Sequence, residues 1–145
     1  MEQQVHFVTV ATTDLDATRR FYAALGWRPL LDVEDEIVFY QTAPGQLLGF
    51  FIADKFNQDL GLPGSHSSIS GITLAHNVDS PGDVIALADA MAGAGGTVLK
   101  TPQPGQFGGV FHAHVQDPNG LIWEIARNPS WRIGPDGTVH LGQTS

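Results

Sequence analysis

Near the end of the chain, FHAHVQDPNGLIWEIARNP (residues 111–129) sets two histidines two positions apart and follows them, across a turn, with a glutamate. Side chains alternate along an extended strand, so His112 and His114 share a face and can bring both imidazoles to one ligand or one metal ion. Glu124, if enclosed without a cationic partner, would have a raised pKa and could serve as a general base; an ion pair to His114 or Arg127 would oppose that shift. His114 and Glu124 are therefore the candidate catalytic pair. With His112, His76 and His6 they are also the residues to which a metal ion, if one is used, would be assigned. Each has a structural alternative: strand histidines that are partly exposed or hydrogen-bonded, and a carboxylate satisfied by a neighbouring donor.

The elements that must position these residues follow from periodicity. Residues 5–11 alternate and are rich in β-branched side chains, which predicts a half-buried strand with Val8 and Val10 on one face and Phe7, Thr9 and Ala11 on the other. A helix follows, with Thr13 and Asp16 as a capping box, Leu15, Thr18, Tyr22 and Leu25 as its stripe, and Gly26 as its stop. Residues 27–33, 37–42 and 47–53 read as three strands of a meander. Residues 54–70 are polar and glycine-rich, the composition of a linker or loop.

The order then repeats. Residues 71–78 predict a strand, and Ser80, Pro81 and Asp83 open a helix whose stripe is Val84, Leu87, Ala88 and Met91, with glycines 93, 95 and 96 ending it. Strands are expected over 97–100, 110–116 and 121–126, the last two joined by the turn Asp117-Pro118-Asn119-Gly120. The chain thus reads as one α+β domain over 1–145, built from tandem βαβββ modules at 4–53 and 71–128, with a C-terminal extension over 129–145. Two such modules can form a curved sheet around a shared cavity, the natural place for a ligand.

Composition narrows the partners. Seven Lys plus Arg against fifteen Asp plus Glu give a formal charge of -8, and the cations are scattered singly, so a phosphate backbone is a poor partner and nucleic acid is not expected. No stretch approaches the roughly 20 apolar residues of a spanning helix, and no leader pattern opens the chain, so a cytoplasmic protein away from membranes is the expectation. Lack of cysteine excludes disulfides and thiolate chemistry. The glycines around Phe107 lack the strand-to-helix setting of a phosphate loop.

TTDLDATRRFYAALGW (residues 12–27), GITLAHNVD (71–79) and DPNGLIWEI (117–125) together resemble the vicinal oxygen chelate superfamily, which includes glyoxalases, extradiol dioxygenases, fosfomycin resistance enzymes and bleomycin resistance proteins. The resemblance implies a glyoxalase-like fold, a homodimer, and in metal-using relatives three ligands. Carried over residue by residue, those ligand positions fall on Phe7, on about Thr73 and on Glu124, so only the third is a residue that binds a divalent metal. No cofactor is therefore expected, and a divalent metal is kept only for a noncanonical site. The function expected is binding of a small, partly apolar organic ligand, by sequestration as in resistance proteins, with Phe7, Phe39, Phe51, Phe107, Thr73, His112, His114 and Glu124 lining the site. The alternatives are a lyase, isomerase or dioxygenase using Glu124 with the histidines, and a structural or interaction protein with a filled cavity.

Overall fold

The structure is a computed structural model that describes residues 1–59, 72–106 and 109–142. Its first module runs β1 (Phe7–Thr12), α1 (Leu15–Ala24), β2 (Leu31–Val33), β3 (Ile37–Ala43) and β4 (Gln46–Ile52), followed by a short helix α2 (Ala53–Asp59). The second repeats the order as β5 (Thr73–Asn77), α3 (Pro81–Gly93), β6 (Thr97–Pro104), β7 (Phe111–Gln116) and β8 (Ile122–Arg127). The extension forms a hairpin, β9 (Trp131–Ile133) and β10 (Val139–Leu141).

Each module makes one four-stranded sheet with the same mixed topology. The orders are β1-β4-β3-β2 and β5-β8-β7-β6, in which the first strand of each module lies parallel to the last and the remaining pairs are antiparallel. This corrects the expectation of a curved sheet around a shared cavity. Among the described residues the strands are divided among separate open sheets, and none is curled or closed into a wall. The α+β class and the doubled βαβββ order stand.

The chain forms two compact units, and their boundary does not follow the sequence repeat. The first comprises Met1–Ile72 together with Asp117–Leu121; the second comprises Thr73–Gln116 and Ile122–Ser145. The turn between β7 and β8 thus belongs to the first unit. There Asp117 is buried, accepting from the hydroxyl of Tyr22 (2.7 Å) and from the backbone N–H groups of Asn119 and Leu121. The Asn119 amide oxygen accepts from Thr12, and its amide nitrogen donates to Thr18 (2.9 Å), so β1 and α1 are both pinned to the turn. Gly120 has φ +88°, a backbone angle that costs glycine little. Phe21, Tyr22, Val38, Tyr40, Leu48 and Phe50 are the apolar core beside this network.

Helix α1 starts at Asp14, whose carboxylate accepts from the N–H of Ala17, and not through the expected Thr13–Asp16 box. Its buried stripe is Leu15, Thr18, Phe21 and Tyr22. Helix α3 matches its sequence signals: Ser80 accepts from the N–H of Asp83, Pro81 opens the helix, and Val84, Ala88 and Met91 are buried where it packs on β6, β7 and β8. Residues 54–59, read as the start of a loop, form α2 together with Ala53, which was expected to end the preceding strand, while the rest of that predicted linker (60–70) lies outside the described residues. Strand β6 runs on to Pro104 through two register shifts, one on each side of Lys100.

Candidate functional site

The second sheet sorts its side chains by the strand period. Ala113, Val115, Trp123 and Ile125 are buried, and α3 packs on this sheet with a buried stripe of its own. The alternate residues point the other way. Pairing sets His114 opposite Glu124 on β8 and Lys100 on β6, and Ala75 of β5 opposite Glu124 from the other side. His112, two residues from His114, falls on the same face.

The polar groups converge there. His114 Nε2 lies 3.1 Å from Glu124 Oε2 and is hydrogen-bonded to it, and His112 Nδ1 lies 3.4 Å from the same oxygen. The two imidazoles pack edge to face with centroids 5.0 Å apart. Lys100 Nζ lies 3.0 Å from His112 Nε2. A Cβ added at Gly105 would stand 3.5 Å from that same nitrogen, so the ring is hemmed in by the lysine head and the turn after β6. All four side chains are partly exposed. The ligand atoms of His112, His114 and Glu124 lie within 4.8 Å of one another.

The remaining candidates fall elsewhere. Thr73 pairs with Ile122, two residues from Glu124, and shares its face, but a threonine hydroxyl is a poor ligand for a divalent transition metal. His76 pairs with Ile125, so it lies on the opposite face from Glu124, beside an open cleft of ≈ 580 Å³ at the start of α3; it is not part of the cluster. Arg127 is likewise out of phase with Glu124. His6 precedes β1, is exposed, and contributes its carbonyl to the N–H of Leu47.

Phe7, Phe39 and Phe51 belong to the first unit, on the face of its sheet opposite the buried residues Val38, Tyr40 and Phe50. Phe7 meets Phe39 edge to face at 5.6 Å. The Phe39 ring lies directly on Gly49, where an added Cβ would come within 2.6 Å of it. Phe107 lies outside the described residues. Lys100 is the member of the cluster that sequence reasoning missed. Its only sequence signal was a single cation in TVLKTPQP, and its placement depends on the irregular register of β6.

Two βαβββ modules, each with its own four-stranded mixed sheet, define a class, and comparison with known proteins gives it a name. The sequence model of the Glyoxalase/Bleomycin resistance protein/Dioxygenase superfamily matches residues 4–125, and the chain belongs to that superfamily. A crystal structure of a glyoxalase-related enzyme from Fulvimarina pelagi is 36% identical, with 98% of this chain and 100% of that one covered and a TM-score of 0.86. A glyoxalase/bleomycin resistance protein from Albidiferax ferrireducens is 26% identical over 86% of this chain and 98% of that one, with a TM-score of 0.63. A lactoylglutathione lyase from Agrobacterium tumefaciens, 19% identical over 87% and 94% with a TM-score of 0.65, shares the fold. No curated protein matches the sequence.

Of the positions to which the family resemblance carries metal ligands, Phe7 offers no ligand atom and Thr73 a neutral hydroxyl, whereas Glu124 has the imidazoles of His112 and His114 as its near neighbours.

Proposed function

We propose that the chain binds a small, partly apolar organic molecule without a canonical metal centre, using His114 and Glu124 as polar anchors. The supporting observation is the His114–Glu124 hydrogen bond of 3.1 Å on a partly exposed sheet face. The bond fixes the direction of both groups before a ligand arrives, so little ordering entropy is left to be lost on binding. Thr73 and His112, on the same face of the second unit's sheet, enter the proposal as polar neighbours. Sequestration of the resistance type requires no bond-making residue, and a homodimer completes this reading.

A second reading is favoured by the same hydrogen bond: a carboxylate coupled to an imidazole can take a proton from a substrate and pass it on, as a lyase or isomerase requires. One experiment separates the two. Protein purified without added metal is assayed for metal content and screened against small organic ligands with and without chelator. Binding is expected to be insensitive to chelator and to weaken at least tenfold in Glu124→Gln. A stoichiometric ion lost together with binding on chelation would overturn the metal-independent reading. Turnover abolished in Glu124→Gln with affinity retained would favour the enzyme.

A further inference from the structure

The two distances from Glu124 to the imidazoles do not themselves keep a metal out. Two ligand atoms each about 2.1 Å from one ion stand about 3.0–3.4 Å apart, depending on the angle between them. The 3.1 and 3.4 Å separations from Glu124 Oε2 to the two imidazole nitrogens fall in that range. Two histidines and a carboxylate are also a donor set that holds a divalent transition metal. What decides between a metal centre and a hydrogen-bonded cluster is where the ring protons sit.

We propose that Lys100 is the specificity-determining residue of this cluster: by donating to His112 Nε2 it forces the proton of the neutral ring onto Nδ1, and so withdraws from metal binding the nitrogen that faces Glu124. An ammonium group has donors and no acceptor, so the nitrogen 3.0 Å from it must offer a lone pair. A neutral imidazole has one such nitrogen, and the other carries hydrogen. The hydrogen then lies on Nδ1, 3.4 Å from Glu124 Oε2. A metal bound there would need the reverse tautomer, with an N–H aimed at the lysine and a second cation close by. The register shifts on both sides of Lys100 and the turn at Gly105 hold this arrangement from the outer strand of the sheet.

This proposal rests on the metal-independent reading and goes beyond it, because it names the residue responsible and implies that a metal site is one substitution away. The expected behaviour of Lys100→Met is a shift of His112 toward the Nε2–H tautomer and at least a tenfold gain in affinity for Co²⁺ or Zn²⁺. Lys100→Arg, which still donates, should behave as the parent does.

The test uses the full chain stripped of metal. Histidine tautomers are read from long-range ¹⁵N–¹H correlations, and metal affinity from calorimetry with Zn²⁺ and the visible absorption of Co²⁺. Adding Glu124→Gln to Lys100→Met should remove the gain, locating the ion at this cluster. An Nε2–H tautomer in the parent protein would overturn the proposal even if every variant failed to fold. So would a folded Lys100→Met protein with unchanged metal affinity. A parent protein that itself holds a stoichiometric ion at Glu124 would instead overturn the metal-independent reading, so the two failures are distinguishable.

Discussion

Asp117 accepts hydrogen bonds from the Tyr22 hydroxyl, from the backbone N–H groups of Asn119 and Leu121 and from the Asn119 side-chain amide, yet its pKa is raised above 3.8 because burial penalises the carboxylate more than those donors reward it. The native state therefore holds this proton more tightly than the unfolded chain does. Between the unfolded value and the raised native one, folding takes up protons, so stability falls as pH rises through that window and levels off above it. Asp117→Asn keeps an acceptor for the two backbone N–H groups and can donate to the tyrosine oxygen. The difference in urea-unfolding free energy between parent and Asp117→Asn should consequently change across the acid range, and parallel pH curves would refute the assignment. At this scale the sequence was only partly legible. The i, i+2 spacing predicts that His112 and His114 share a face, and the turn residues of DPNG are evident. The phase of His76 is not, because it depends on which β8 residue β5 meets, and Lys100 was hidden by the irregular register of β6.

Among the elements, α3 shows how a cluster of glycines can have opposite consequences within four residues. The helix ends at Gly93 with Ala94 as its cap. A Cβ at Gly93 meets nothing within 4 Å, whereas one at Gly96 would stand 2.8 Å from the Met91 carbonyl oxygen and 3.0 Å from the Val115 side chain. Backbone does not yield as a flexible side chain does. Gly93→Ala should raise stability by about 0.5–1 kcal/mol through helix propensity, while Gly96→Ala should lower it by about 1–3 kcal/mol through overpacking. Denaturant melts of the two variants check the signs, and equal effects would mean that the close approach is relieved. The helix boundary was legible because Ser80, Pro81 and the glycines act locally. Helix α2 was not: ADKFNQD has neither a proline nor a sustained stripe, and seven residues make too few turns for periodicity to stand out. Strand β6 runs beyond its expected end at Lys100, through Pro102 and Pro104, on the edge of its sheet, where a missing N–H is tolerated.

For the whole molecule, the repeated βαβββ order was legible because each helix carries its own start and stop, whereas the shape of the sheets was not, because strand period says nothing about closure. No helix among the described residues is long and apolar enough to cross a membrane. The hairpin β9–β10 sets Trp131 against Leu141 and Ile133 against Val139, and all four are exposed. A two-stranded hairpin is marginal in water without something to pack on. The homodimer in the proposed function would supply a surface of that kind. Sedimentation equilibrium should return twice the 15.5 kDa chain mass, and replacing Trp131 and Leu141 with serine should shift it toward the single-chain value. A parent protein that sediments as one chain would remove the dimer from the proposal.

The division of the chain into units has a consequence for how the protein is made. A nascent chain released only as far as residue 72 has every strand and helix of the first module, but not the Asp117–Leu121 segment that completes its unit. Until that segment leaves the ribosome, the Tyr22 hydroxyl lacks its carboxylate and Thr12 and Thr18 lack Asn119. The order of the sequence and the membership of the units are therefore offset. The half synthesised first is finished by a pentapeptide synthesised some forty residues later, so the second half of the message carries the closing instruction for the first.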